Sequence, residues 1–160
     1  MLLRGVTMAD LALLRQIEAA CFPAAEAAGE ASFAARLAVY PQHFYLLEEE
    51  GTPVAFINGM VTDEETIRDA LYDHADLHNE AGAWQTVFGI STLPAYRRRG
   101  LAAQLMRRLI ADAKTQGRRG CILTCKAALI GYYETFGYQN QGLSASTHGG
   151  AVWYDMRLTF

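Results

Sequence analysis

Apolar residues recur along the chain with two different periods, and each change of period marks an element. Residues 2–6 read as a short strand. Thr7 and Asp10 stand at the spacing of a helix-opening hydroxyl–acid pair, and Leu11, Leu14, Ile17 and Ala20 then follow at helical spacing. The segment FPAAEAAGEA is rich in alanine but holds Pro23 and Gly29, so it reads as a helix–loop piece. Ser32 opens a second short helix through Phe33 and Leu37, which stops before Pro41. From His43 the period becomes strand-like: HFYLLEEE and TPVAFINGMV flank a turn at Gly51 and Thr52, the pattern of an antiparallel hairpin.

Thr62 and Glu65 have capping-box spacing, with Ile67 and Leu71 on one helical face behind them. Residues 84–92 form the next strand. Residues 100–116 carry the clearest helical pattern, with Leu101, Leu105 and Leu109 in one line, Ala102, Met106 and Ala113 beside it, and Gly117 as the stop. GCILTC is a strand and residues 128–136 a short helix ended by Gly137. Two final strands cover about residues 138–145 and 151–159. The order of elements predicts a mixed α+β domain over residues 1–160, without a repeat or a linker.

Composition narrows the class. The chain has 160 residues, of which 51% are hydrophobic, enough for one domain with a substantial core. Fourteen basic residues against 17 acidic ones leave a net charge of -3, which argues against a surface for nucleic acid despite Arg97–Arg99 and Arg107–Arg108. No apolar run is long enough to span a bilayer, and the opening residues lack the pattern of a secretory signal. Three cysteines cannot all pair within the chain, and the simplest setting is reducing and cytoplasmic. Cys121 and Cys125 share a strand face but stand roughly 13 Å apart, too far to share a zinc ion. His74 and His78 are four apart among carboxylates in DHADLH, a pattern better read as a solvated helix face, so no metal is expected.

Two stretches carry candidate chemistry. In FGISTLPAYRRRGLAAQLMRRLI a strand runs into a basic turn, and Gly100 opens the strongest helix. Unpaired backbone N–H groups at a helix mouth suit a phosphate, and arginine forks suit its oxygens. The stretch is neither a P-loop nor a dinucleotide fingerprint, and a solvated basic turn is its bland reading. In ALIGYYETFGY, Leu129, Tyr132 and Phe136 fit one apolar helical face, which turns Tyr133 elsewhere, toward a cleft or the surface.

Together the two stretches resemble the GCN5-related N-acetyltransferase (GNAT) superfamily. YRRRGLA is similar to its acyl-coenzyme A signature, and YYETFGY to the tyrosine–glutamate–x–phenylalanine–glycine segment near the end of that fold. Within the superfamily the closest likeness is to the arylalkylamine (serotonin) N-acetyltransferases, through PVAFINGMVTDEETIRDALYDH, LTCKAALIGYYETFGY and GLSAS.

The resemblance implies a mostly antiparallel sheet with helices on both faces and a splay between two central parallel strands. It implies acetyl-CoA as cosubstrate, with Ile90, Ser91 and Thr92 lending backbone groups to the pantetheine arm. Arg97, Arg98, Arg99, Gly100, Leu101, Ala102 and Ala103 would cradle the pyrophosphate, and Tyr133 would protonate the departing thiolate. Phe22, Trp84, Thr86 and Phe88 are expected at the acceptor, with Gln85 beside Thr86. The arylalkylamine enzymes carry two histidines on this fourth strand, whereas Thr86 and Phe88 stand at those positions here. That base assignment does not transfer, which leaves Glu80, His78, Asp76 or a water chain as replacements. The expected activity is acetyl transfer to a primary amine, with a small aryl or alkyl amine ahead of a peptide amino group. A module that binds coenzyme A without transferring is the rival reading. No membrane or nucleic-acid partner is expected, and the chain is read as a monomer or homodimer.

Overall fold

Phe44, Tyr45, Leu46 and Leu47 are all buried, yet they alternate between two separate cores. That alternation, set by the two-residue period of a strand, defines the layers of the fold. The structure, a computed structural model, describes residues 1–160. The strands are β1 (Leu2–Arg4), β2 (Phe44–Glu49), β3 (Thr52–Asn58), β4 (Val61–Thr62), β5 (Trp84–Val87), β6 (Gly89–Thr92), β7 (Gly120–Cys125), β8 (Gln139–Leu143) and β9 (Tyr154–Thr159). The helices are α1 (Leu11–Cys21), α2 (Glu30–Val39), α3 (Asp69–Asp73), α4 (Leu101–Thr115) and α5 (Ile130–Glu134).

One core packs Leu101, Leu105, Met106 and Leu109 of α4 and Tyr133 of α5 against one sheet face. The other packs Leu14 and Ile17 of α1, Phe33 and Leu37 of α2, and Leu71 of α3 against the opposite face. Along β7 the alternation recurs: Cys121 and Leu123 enter the first core, and Ile122 the second. The expected α+β architecture with helices on both faces is present. No helix is long and apolar enough to cross a membrane.

The strands form two hydrogen-bonded sets, β1-β2-β3-β6 and β4-β5-β7-β9-β8. All pairings are antiparallel except β5 with β7. The corner after β3 stitches the sets together: Thr86 N–H donates to the Met60 carbonyl and Phe88 N–H to the Asn58 carbonyl, each at 2.8 Å. Gly59 permits this closeness, because a Cβ there would fall 1.9 Å from the Thr86 carbonyl oxygen.

Three local readings need correction. Residues 84–92 were expected as one strand but break at Phe88 into β5 and β6. Thr62 does not cap a helix; its hydroxyl accepts from Glu64 N–H at 3.1 Å in a local turn, and α3 begins only at Asp69. The apolar face expected on the last helix holds at Phe136, which packs against the first core, but not at Leu129 and Tyr132, and Tyr133 enters the core as well as the cavity. Leu129 is 45% and Tyr132 39% exposed, whereas Tyr133 is 8% exposed. The α5 helix is five residues long, too short for a full amphipathic stripe, so the ring nearest the sheet fills the core.

Candidate active site

The break at Phe88 opens a wedge. Upstream of it, β5 pairs with β7 from Trp84 and Gly120 to Val87 and Leu123. Downstream, β6 turns to β3, pairing Gly89 with Asn58 through Thr92 with Ala55, and its other edge has no strand beside it. β7 runs on through Thr124 and Cys125, held by β9. Where the two strands part lies a cavity of about 360 Å³, walled by Val87 to Ile90 on one side and Leu123 to Cys125 on the other. An unpaired strand edge offers N–H and C=O groups to any extended ligand laid along it.

Tyr133 reaches this cavity from α5. Burial, with Cys125 and Tyr132 beside it, pushes its phenol well above the usual range, so it keeps its proton at neutral pH. Burial also lifts the Cys125 thiol to about 11, which makes it a poor nucleophile for a covalent relay.

Opposite the sheet, the loop after α1 closes the cavity with Phe22, Pro23 and Glu26. Lys126 Nζ lies 2.9 Å from the Glu26 carboxylate, and His148 Nε2 donates to the Glu26 carbonyl at 2.9 Å, so the loop is tied to the far wall at two points. The His148 ring stacks on Tyr72 at 5.0 Å, and the Tyr72 hydroxyl shares a 2.7 Å hydrogen bond with Thr124.

Beyond β6, the α4 helix starts at Gly100 in the left-handed region, with φ +75° and no side-chain cap. Arg98 is also left-handed, with φ 62°. Left-handed residues in a turn beside an uncapped helix start are the setting in which backbone N–H groups receive an anion. Arg97, Arg98 and Arg99 are exposed around this mouth. Arg97 Nε donates to the Thr92 carbonyl at 3.1 Å, and Arg99 pairs with Glu49 at 2.8 Å. Leu101 is buried, while Ala102 and Ala103 are half-buried on the first turn. The free edge of β6 leaves the cavity at Gly89 and Ile90, and the chain continues beyond Thr92 to the uncapped mouth of α4.

The expected acceptor residues divide. Phe22 and Phe88 line the cavity. Trp84 does not: it lies in the second core with Arg119 and Arg157 each 5.6 Å from its ring centre. Thr86 is fully buried and donates to the Met60 carbonyl at 3.0 Å, and Gln85 is spent on the Gly59, Met60 and Thr86 carbonyls.

The replacement bases named from sequence also lie elsewhere. Glu80 holds His43 Nε2 at 2.7 Å and His78 Nε2 at 3.2 Å in a separate cluster, and Asp76 is exposed on a turn. That cluster has the donor types of a metal site but not the proton arrangement. His78 Nδ1 accepts from Val61 N–H at 3.0 Å, so the neutral ring carries its proton on Nε2, the atom that would have to bind the ion.

Sequence reasoning missed Glu18. It lies on α1 four residues beyond the buried Leu14, so helical spacing does place it on the inner face. Its carboxylate lines the cavity, accepting from Ala28 N–H at 3.0 Å and from the Ser91 hydroxyl at 3.1 Å. Arg36, a buried cation in this wall, donates to Asn58 at 2.9 Å and to the Tyr72 carbonyl at 3.1 Å.

The family model described as "Acetyltransferase (GNAT) family" matches residues 11–138. The chain belongs to this family. It is similar to serotonin N-acetyltransferase of Mesocricetus auratus, with 29% identity over 69% of this chain and 53% of that protein. The chain thus spans about half the length of the curated relatives it matches. Its fold is similar to the loading GNATL domain of CurA from Lyngbya majuscula, with a TM-score of 0.84 and 16% identity over 99% of this chain and 96% of the other. It is also similar to the ribosomal-protein-S18-alanine N-acetyltransferase of Escherichia coli, with a TM-score of 0.74 and 22% identity over 99% and 92%.

Proposed function

We propose that this chain transfers the acetyl group of acetyl-CoA to a small primary amine by direct attack. Tyr133 supplies the proton that the departing thiolate takes. The observation that carries this reading is the placement of Tyr133, buried and protonated, in the cavity where β6 and β7 part. Coenzyme A supplies the acetyl group as a thioester. Ile90, Ser91 and Thr92 hold its arm along the free edge of β6, and Gly100 to Ala103 with Arg97, Arg98 and Arg99 hold its phosphates. The acceptor side is enclosed by Phe22, Tyr72, Phe88 and Trp153, with Glu18 and Glu26 among them. Aromatic faces and carboxylates suit an aryl or alkyl ammonium ion.

The test is acetyl-CoA-dependent thiol release with phenylethylamine, tryptamine, spermidine and a basic peptide. Turnover with the aryl amines supports the proposal. Preference for the peptide would move the acceptor to a protein amino group. Saturable coenzyme A binding without release from any acceptor would make the chain a binding module.

A further inference from the structure

We infer that Glu18 is the base that takes the proton from the acceptor amine. The inference rests on the acetyltransferase reading above and supplies the group which that reading lacks. Glu18 projects from α1 into the wall of the cavity formed by the start of β6. A Cβ on Gly89 would come within 3.6 Å of its Oε1, so the carboxylate lies directly over the first residue of the splayed strand. It is fixed there from two sides, by Ala28 N–H on one oxygen and the Ser91 hydroxyl on the other.

Other candidates are excluded by their partners. Glu26, the second buried carboxylate of this wall, has Lys126 Nζ at 2.9 Å and is held as an ion pair. Cys125 keeps its proton. The Thr86 hydroxyl is directed into a backbone carbonyl. His148, which also lines the cavity, donates from Nε2 to the Glu26 carbonyl and keeps Nδ1 as an acceptor, so the variant His148→Gln in the test below separates it from Glu18.

The environment of Glu18 also suits the task. Burial raises its carboxyl above the usual carboxylate range, while Ala28, Ser91, Arg36 and His148 each favour the ionised form and limit the rise. A raised carboxyl is a stronger base than an exposed one. Of the other charged groups on the cavity, Asp73 is exposed at its rim and Glu26 and Lys126 neutralise each other. Tyr133 stays protonated.

The reaction step balances. The acceptor ammonium first gives one proton to solvent; the neutral amine nitrogen then forms a bond to the acetyl carbon and loses a second N–H proton to Glu18. The carbon–sulfur bond breaks, its electron pair stays on sulfur, and sulfur takes the Tyr133 proton. Solvent then removes the proton from Glu18 and returns one to Tyr133.

The test compares Glu18→Gln, Ser91→Ala and His148→Gln with the parent chain, using phenylethylamine as acceptor across the pH range. Coenzyme A binding by calorimetry serves as a check on folding. For Glu18→Gln, kcat/KM should fall by about 10²- to 10³-fold and its acid limb should vanish, with coenzyme A affinity unchanged. Ser91→Ala removes a hydrogen bond to the charged form, so its acid limb should move to higher pH, a shift that a purely structural role would not produce.

Retained activity and acid limb in Glu18→Gln would overturn the inference, as would loss of that limb in His148→Gln alone. If Glu18→Gln does not fold, Ser91→Ala decides: a displaced limb supports the role and an unmoved one refutes it. Failure of the parent chain to acetylate any amine while still binding coenzyme A would instead refute the proposed function.

Discussion

Arg36 and Asn58 are joined by a buried 2.9 Å hydrogen bond between a helix of one layer and the last residue of β3. The guanidinium also lies 4.9 Å from the centre of the Phe88 ring, so a single side chain supports both the corner that stitches the sheet and the residue where the strand breaks. Arg36→Met keeps the bulk and removes the donors, leaving Asn58 and the Tyr72 carbonyl unpaired. The expected destabilisation is about 1–3 kcal/mol, read as a lower midpoint in urea unfolding. An unchanged midpoint would mean that water replaces these contacts freely.

Tyr133→Phe should lower kcat by about 10²-fold or more while leaving the dissociation constant of coenzyme A nearly unchanged, because only the proton is lost and the ring still packs. Steady-state kinetics beside calorimetry with coenzyme A separates the two effects. Equal turnover by the variant would remove Tyr133 from the mechanism.

At the mouth of α4, Gly100→Val places a branched side chain at φ +75°. The strain is about 1–2 kcal/mol, and straightening the turn to relieve it would move the N–H groups away from a bound phosphate. Weaker binding of coenzyme A is expected, with the loss reduced for a shortened analogue without the pyrophosphate. Equal loss for both ligands would point to a folding defect.

Glu18 bears on stability with a definite sign. Its folded-state carboxyl is raised above the ordinary value, so its favourable contribution is fully present below the unfolded value near 4.5 and is lost as pH rises through the folded one. Glu18→Gln should therefore unfold at a higher temperature than the parent at neutral pH, despite its loss of activity. Thermal unfolding at about pH 4 and about pH 7 checks this, since the advantage should shrink on the acidic side.

His78 has the opposite dependence. Burial and the neighbouring His43 lower its folded value below the ordinary 6.5, so the stability it contributes is present above that value and is lost as pH falls. Denaturant unfolding from about pH 7 to about pH 5.5 should show a falling midpoint, with a shallower fall in His78→Gln. Equal slopes would place the acid sensitivity in another group.

Much of this fold is legible in the sequence because strong periodic patterns face a core. The leucine line of α4 and its stop at Gly117, the β2–β3 hairpin and the order of elements all follow from pattern. The break at Phe88 does not, because a bulky apolar residue is as welcome inside a strand as at a bend. What decides it is the switch of partners from β7 to β3, which no local pattern encodes. Tyr133 was separable from Tyr132 by helical angle, but the direction of the core was needed to say which ring goes inward. Glu18 falls on the inner face by spacing alone, yet a glutamate on an amphipathic helix is ordinarily read as solvated until its burial is seen.

The strand that divides at Phe88 leaves two half-sheets meeting at a corner, with a wedge where a continuous sheet would have another ladder. A cosubstrate paired along β6 and inserted beside β7 would act as a keystone between them. Its binding free energy would then appear as thermal resistance of the whole domain and slower amide exchange along β6. On this view the fold is mechanically complete only when loaded, and depletion of the acyl donor would loosen the enzyme as well as idle it.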